Sequence, residues 1–436
     1  MGRLRSWLTS IPERFWFIPA VFIGAAMALA QVLVALDRAE VRLPGTLEGF
    51  LFGTGVDGAR ALLTAVASFL GVAGTAFSIT ISVISTASTS YGPRLVRNFM
   101  RDRNNQIVLG VLVATFVYTL LVLRTIRSAS DAGAAFVPHL AVNAAIGLGV
   151  VDVFLFVWFI HHIAGSVQID NLVKGASDDF RRAVDDNWLD PADGRVESCE
   201  PPSEGGGVVT LGRTGYLTRI DVAALTDDIT GCDASVRLLK RVGDHVAGDE
   251  HLALVWPAGR RDAVEPRIRD HGHVGASRTT EQDVRFAEQQ VVELAVRALS
   301  PGTNDPYTAV NAVEEVAAGI LTAVSRAGTG HILVDDAGAP RLYLRPVTAS
   351  EIVDMPFDHL RPYALGSLIV LRALADLAAR IRASTVDPGL AARADRQMDH
   401  LVAAAEGHLT PADHASLRDY VTESRSASLV EPPAQP

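Results

Sequence analysis

The chain has 436 residues, of which 49% are hydrophobic and 20% charged, with a formal net charge of −10. That length excludes one small domain, and that apolar content excludes global disorder. The negative balance argues against a nucleic-acid partner, and two cysteines, Cys199 and Cys232, cannot build a disulfide scaffold.

Charge divides by region. Residues 1–170 carry +3 and residues 171–436 carry −13. A mildly basic, apolar front is joined to an acidic back, as for a chain that meets two solvents. In the front, Phe15–Leu36, Ala61–Ser90 and Ile107–Leu123 contain no charged residue, and Phe136–Ile160 contains only Asp152. A bilayer core takes about 20 apolar residues as a helix, and in lipid the backbone must satisfy itself. These runs predict four transmembrane helices, at about 15–36, 61–86, 107–123 and 137–160, in a membrane domain covering 1–168. The first run is too long for a signal-peptide core and is read as retained. Arg3, Arg5, Arg14, Arg94, Arg97, Arg101 and Arg103 fall on one side. Arg38, Arg42, Arg60, Arg124 and Arg127 fall on the other, diluted by acids. That bias predicts both termini in the cytoplasm. Trp16 and Trp158 fall near the expected interfaces.

Span two carries a seam. Thr64, Ser68, Gly71, Thr75, Ser78, Ser82, Ser85 and Thr89 step by 4,3,4,3,4,3,4 along one helix face. Small and hydroxyl residues in such a row fit dry helix–helix packing. They equally fit a polar stripe along a water-filled path in an oligomer. Each hydroxyl can also bond its own helix at i−4. Asp152 lies inside span four, where a carboxylate costs about 2.5–3.5 kcal/mol on insertion scales. It reads either as a neutral acid hydrogen-bonded inside the bundle or as a proton or cation site. Asn143, Gln31 and the seam hydroxyls are its expected partners. His161 and His162 read as interfacial anchors. The ion- or proton-path candidates are therefore Asp152, Thr64, Ser68, Thr75, Ser78, Ser82 and Ser85.

Between spans two and three, Arg94, Arg97 and Arg101 repeat on one helical face beside Leu95, Phe99 and Met100. A basic amphipathic helix there would contact inner-leaflet headgroups; the alternative is a solvated loop. The loop 43–56 is glycine-rich and nearly uncharged, suited to rest in the interface.

Several strings resemble one known family: SITISVISTASTSYGPRLVRNFMRD (Ser78–Asp102), VLGVLVATFVYTLLVLRTIR (Val108–Arg127), FVPHLAV (Phe136–Val142), FIHHIAGSVQ (Phe159–Gln168) and ALSPGTNDPYTAV (Ala298–Val310). They are similar to the predicted bacterial membrane proteins catalogued as domain of unknown function 2254. The resemblance implies a multi-pass inner-membrane protein with an N-terminal bundle and a soluble C-terminal part. It implies no activity.

The soluble half is expected as an α+β region. Residues 169–207 read as an exit helix (Asp170–Trp188) and a Pro/Gly/Glu linker. Residues 208–275 switch to short strands cut by Gly-Asp turns. GDHVAGDEHL (Gly243–Leu252) resembles the turn of a biotinyl/lipoyl-like β-sandwich, with Asp249 where glycine is expected and no suitably flanked lysine following. A small β-sandwich-like module is expected there. Residues 276–425 read as mostly helical. Thr279 and Gln282 have capping-box spacing, and Val284, Ala287, Val291, Leu294 and Ala298 form a buried stripe. Glu281–Arg285 and Glu293–Arg297 are i,i+4 pairs. Ser300-Pro301-Gly302 stops that helix, and Asp305-Pro306 starts the next. Thr303, Asn304 and Asp305 read as a cap, with an anion site as the alternative. A hairpin turns at Asp336-Ala337-Gly338, and helices follow over Tyr363–Ile381, Gly389–Glu406 and Pro411–Ser424. Residues 426–436 read as a disordered tail.

Phosphate-loop, HExxH, CxxC and GxSxG signatures are absent from the sequence. His245, His251, His271 and His273 read as solvated, so no metal, cofactor or catalytic residue is expected. The leading expectation is a channel-like or transport-associated inner-membrane protein, a candidate homo-oligomer whose cytoplasmic part assembles or gates it. The alternative is a membrane-anchored scaffold or sensor that binds a cytoplasmic protein partner. An enzyme is the weakest class.

Overall fold

A computed structural model describes residues 16–39, 54–91, 102–128, 135–166, 168–188, 196–197, 200–202, 205–326 and 331–427. It divides into two compact units, Met1–Gln168 and Ile169–Pro436.

The first unit is built from α1 (Phe17–Arg38), α2 (Val56–Tyr91), α3 (Arg103–Leu123) and α4 (His139–Ser166). All four are long and apolar enough to cross a membrane. Their bounds exceed the charge-free runs: α2 begins at Val56 and takes in Asp57 and Arg60, and α4 continues past His161 and His162. Helices extend beyond the oily stretch because their ends reach polar surroundings, where charge is tolerated. The shortest predicted span, α3, is the central one. It packs against α1, α2 and α4. Glycine lets it approach: a Cβ on Gly110 would lie 3.1 Å from Pro19 Cα of α1. Gly149 of α4 plays the same part, its Cβ position 3.0 Å from Val66 of α2. Ala26, Ala30, Leu63, Ala114, Tyr118 and Ala145 fill the core between the four helices. Large apolar side chains such as Val150, Phe154 and Val157 lie outside, as lipid-facing positions should.

Among the described residues of this unit, two helix starts are capped by acids. Asp102 accepts from Asn104 N–H at the start of α3 (2.9 Å). Asp37, at the end of α1, accepts from the N–H groups of Leu140 and Ala141 in the first turn of α4, at 3.0 and 3.1 Å. It satisfies donors that a helix leaves open and ties the two helices together. Arg94, Arg97 and Arg101, and residues 43–53 of the glycine-rich loop, lie outside the described residues.

The second unit opens with α5 (Ile169–Asn187), the expected exit helix. It is part of a helical core rather than a free connection. Phe180 is fully buried and lies so near Gly319 that a Cβ there would fall 2.3 Å from Phe180 Cε1. That core is completed by α8 (Val284–Ala298), α9 (Pro306–Ser325), α10 (Ala349–Ala364), α11 (Leu368–Ser384), α12 (Pro388–Ala405) and α13 (Pro411–Ala427).

The stretch expected as a small β-sandwich-like module carries helices between its strands. Its elements are β2 (Gly207–Thr210), β3 (Gly215–Ile220), α6 (Val222–Gly231), β4 (Ser235–Leu238), β5 (His245–Val246), β6 (His251–Trp256), α7 (Arg261–His271) and β7 (Gly272–Gly275). The strands divide between two sheets. The smaller has the order β5-β3-β7, all antiparallel. The larger has the order β1-β8-β9-β4-β6-β2 and recruits β1 (Val196–Glu197), β8 (Ile332–Val334) and β9 (Pro340–Tyr343). So the linker contributes a strand, and the hairpin expected around Asp336-Ala337-Gly338 joins this sheet through a parallel β4–β9 pairing. Leu225, Ile229 and Ile268 of α6 and α7 pack with Val209, Val236 and Val255 of the sheet.

Three local expectations are corrected. The cap of α8 is Asp283, which accepts from Phe286 N–H (3.0 Å). Thr279 and Gln282 instead bind β3, and Gln282 exchanges hydrogen bonds with both backbone groups of Ile220 (2.9 and 3.1 Å). Arg285 lies 4.0 Å from Glu351 rather than pairing with Glu281, because Glu281 precedes the helix. The helix expected over Tyr363–Ile381 is two helices, since α10 ends at Ala364 and α11 begins at Leu368. The Glu293–Arg297 pair forms as expected (2.8 Å).

Candidate functional site

The span-two seam runs along the outside of its own bundle. Thr64, Ser68, Thr75, Ser78, Ser82 and Ser85 are all exposed. The buried face of α2 is a different one, carrying Ala59, Leu63, Ala73, Phe77 and Ile84. Phe77 stacks on Phe159 of α4 at 4.4 Å. Two seam hydroxyls bond their own helix: Ser68 Oγ donates to Ala65 O (2.8 Å) and Thr75 Oγ1 to Gly71 O (3.0 Å). Among the described residues, the side chains of Thr64, Ser78, Ser82 and Ser85 have no hydrogen-bond partner. A Cβ on Gly71 would meet nothing within 4 Å, in contrast to the packed Gly110 and Gly149. The side chain of Thr89 lies outside the described residues.

Asp152 lies inside the bundle, 2% exposed, and accepts a hydrogen bond from Thr115 Oγ1 of α3 at 3.1 Å. The expected partners are not the ones it meets. Gln31 is exposed, Asn143 Nδ2 donates to His139 O of its own helix (2.8 Å), and the seam faces outward. The reason is that the central helix is α3, so its polar groups face the carboxylate. Tyr118, one turn beyond Thr115 on α3, donates from its hydroxyl to Ala141 O (2.8 Å). Seam and acid therefore do not share a surface within one chain.

His162 is more than an anchor. Its Nε2 lies 2.6 Å from Asp102 Oδ2, and its ring stacks on Trp158 at 5.0 Å. His161 is exposed. Sequence reasoning missed Asp102, Asp37 and Thr115. The first two were legible only as acids flanking apolar runs, and nothing local told Thr115 from other hydroxyls.

In the second unit, Asp305 caps α9. It accepts from Thr308 Oγ1 (2.6 Å) and Thr308 N–H (3.1 Å), and these hydrogen bonds, the hydroxyl's first, hold its carboxyl below the usual range. The anion place at that helix start is filled by the chain's own residue. His271 Nε2 lies 2.9 Å from Asp228. Among the described residues, no group of three or more His, Cys, Asp or Glu could hold a metal ion.

Glu288 was also missed. It occupies the buried stripe of α8 with Val284, Ala287, Val291 and Ala295, and is fully buried. Among the described residues, neither carboxyl oxygen has a hydrogen-bond partner. Burial pushes its carboxyl well above the usual carboxylate range, against a smaller opposing effect of Arg285. The signal was an acid on an oily helical face.

A family model described as "Predicted membrane protein (DUF2254)" matches residues 12–380. An uncharacterised protein of Mycobacterium tuberculosis strain CDC 1551 is 30% identical over 416 residues, covering 93% of this chain and 79% of that protein. An uncharacterised protein of Mycobacterium bovis is 31% identical over 420 residues, with the same coverage. No solved structure matches the chain.

Proposed function

We propose, for a chain that belongs to the DUF2254 family of predicted membrane proteins, that it is an inner-membrane protein of channel-like or transport-associated function whose copies associate through the span-two seam. The observation that carries this reading is the outward placement of Thr64, Ser68, Thr75, Ser78, Ser82 and Ser85. A face meant for lipid is apolar, as Val150, Phe154 and Val157 are on α4. Hydroxyls without partners in hydrocarbon are costly. A second copy, or water held between copies, relieves that cost. Both termini lie in the cytoplasm in this reading, with Arg94, Arg97 and Arg101 at inner-leaflet headgroups. The C-terminal unit assembles or gates the path.

Asp152 has a different part. Buried and bonded to Thr115, it joins α3 to α4 and keeps the bundle fixed behind the seam. Transported charge then passes along the seam and not across this carboxylate.

Cysteine scanning of the seam in reconstituted vesicles tests the reading, with Cys199 and Cys232 replaced by serine. Labelling of positions 64, 68, 75, 78, 82 and 85 by a water-soluble thiol reagent is expected, with protection at Phe154 and Val157. Uniform protection of the seam overturns the path.

A further inference from the structure

The second unit holds a cavity of about 220 Å³ between the end of α5, the 240–242 turn and the 344–347 strap. At ~30 Å³ per water that is room for about seven waters or more, enough for a free amino acid. Its walls are mostly apolar, with Ile220, Leu238 and Leu344 among them. Ligand sites combine such walls with a few placed polar groups, and here those groups can be sorted by what already holds them.

Two of the lining cations are already engaged. Arg241 is paired bidentately with Glu351, both contacts at 3.0 Å, and Lys240 is paired with Glu250. Gln282 is held by both backbone groups of Ile220, and the Asn187 side-chain amide donates to Ala183 O and Glu281 O. Three further polar groups line the cavity. Trp188 lines the cavity and is 7% exposed, and among the described residues its buried indole N–H has no acceptor. A buried donor left unpaired is costly, so this position favours a ligand that brings an acceptor. Arg345 and Asp186 also line the cavity. Both are exposed at its rim, and neither forms an ion pair with a described residue. Among the described residues, the lining therefore offers one free cation, one free anion, one orphaned donor and an apolar wall.

We propose that this cavity binds a free amino acid with an apolar side chain. Its carboxylate accepts from the Trp188 indole N–H and pairs with Arg345. Its ammonium pairs with Asp186, and its side chain lies against Ile220, Leu238 and Leu344. Binding would fasten the end of α5, which follows the last membrane span by sequence, to the strap that leads into α10. The proposal is independent of how copies associate in the membrane.

Calorimetric titration of the full chain in detergent with leucine, isoleucine and phenylalanine tests it. At least one is expected to bind saturably at one site per chain. Leucinamide and 4-methylvalerate, which lack the carboxylate and the ammonium, should each bind about tenfold more weakly or worse, as loss of a charge-assisted contact predicts. Trp188→Phe keeps an aromatic ring and removes the donor, and it should weaken binding by about tenfold; because the smaller ring also lowers the unfolding temperature, the surface variant that follows separates lost binding from lost packing. Arg345→Ala, at an exposed position, should weaken binding by about tenfold with an unchanged unfolding temperature. Absence of saturable binding by all three amino acids up to about 10 mM, a range that covers even millimolar affinity, overturns the proposal. So does binding that survives both substitutions. Equal binding of 4-methylvalerate and leucine overturns the amino-acid assignment in favour of plain organic acids.

Discussion

In the membrane unit Phe154 and Val157 lie outside, while Thr115 and Asp152 lie inside. In the C-terminal unit Phe180 and Ile320 lie inside, and charged residues such as Arg182 and Asp262 face water. The same chemistry is sorted in opposite senses because the solvents differ. Water drives apolar surface inward, whereas lipid gives it no reason to leave the surface. Hydrogen bonds between polar groups, and close approach at small residues, then hold the membrane helices. Asp37 on the start of α4, Thr115 on Asp152 and Tyr118 on Ala141 are three such ties.

The largest effect should come from the C-terminal core. Phe180→Ala empties the site over Gly319 and should cost about 3–5 kcal/mol, read as a lower unfolding temperature of the full chain in detergent. A change within the error of the measurement would mean that α5 is not held by this core.

Glu288 gives the next effect, in pH. Its folded carboxyl titrates above the unfolded one, so the folded state holds the proton longer. Stability from this group is fully present below the unfolded pKa and is lost as pH rises towards the folded one. The protein should lose about 1.4 kcal/mol per pH unit over that window relative to Glu288→Gln. Parallel pH profiles for the two proteins would show that the buried carboxyl is not protonated when folded.

Smaller effects test the membrane unit. Asp37→Ala should lower stability in detergent by about 0.5–2 kcal/mol, the range for a lost cap. Asp152→Asn keeps an acceptor for Thr115, so flux in vesicles should be unchanged. Altered selectivity or rate would return Asp152 to the path. Smallest of all, Ser78→Ala and Ser82→Ala should change the stability of a single bundle by less than about 0.5 kcal/mol, because their side chains face out of it. A larger loss would place them inside a contact of their own chain.

The spans were legible because lipid imposes a length, and a charge-free run of that length is rare in water-soluble chains. The start of α9 was legible because Asp305-Pro306 is a local signal. The larger sheet was not, since β1, β8 and β9 come from segments far from β4 and no periodicity announces a partner. The capping box at Thr279 failed for a related reason: Thr279 and Gln282 are used by β3, a tertiary contact that spacing cannot report. For the seam, sequence gave the stripe but not its direction. Which side faced outward depended on α3 taking the centre, where Gly110 and Thr115 decide the packing.

The central claim is that the outward seam of span two is where copies meet around a polar path. Native mass spectrometry of the protein released from mild detergent measures this most directly. The account predicts a closed oligomer that loses subunits when Gly71 and Ser78 are replaced by leucine. A strict monomer in detergent and in lipid nanodiscs alike would contradict it.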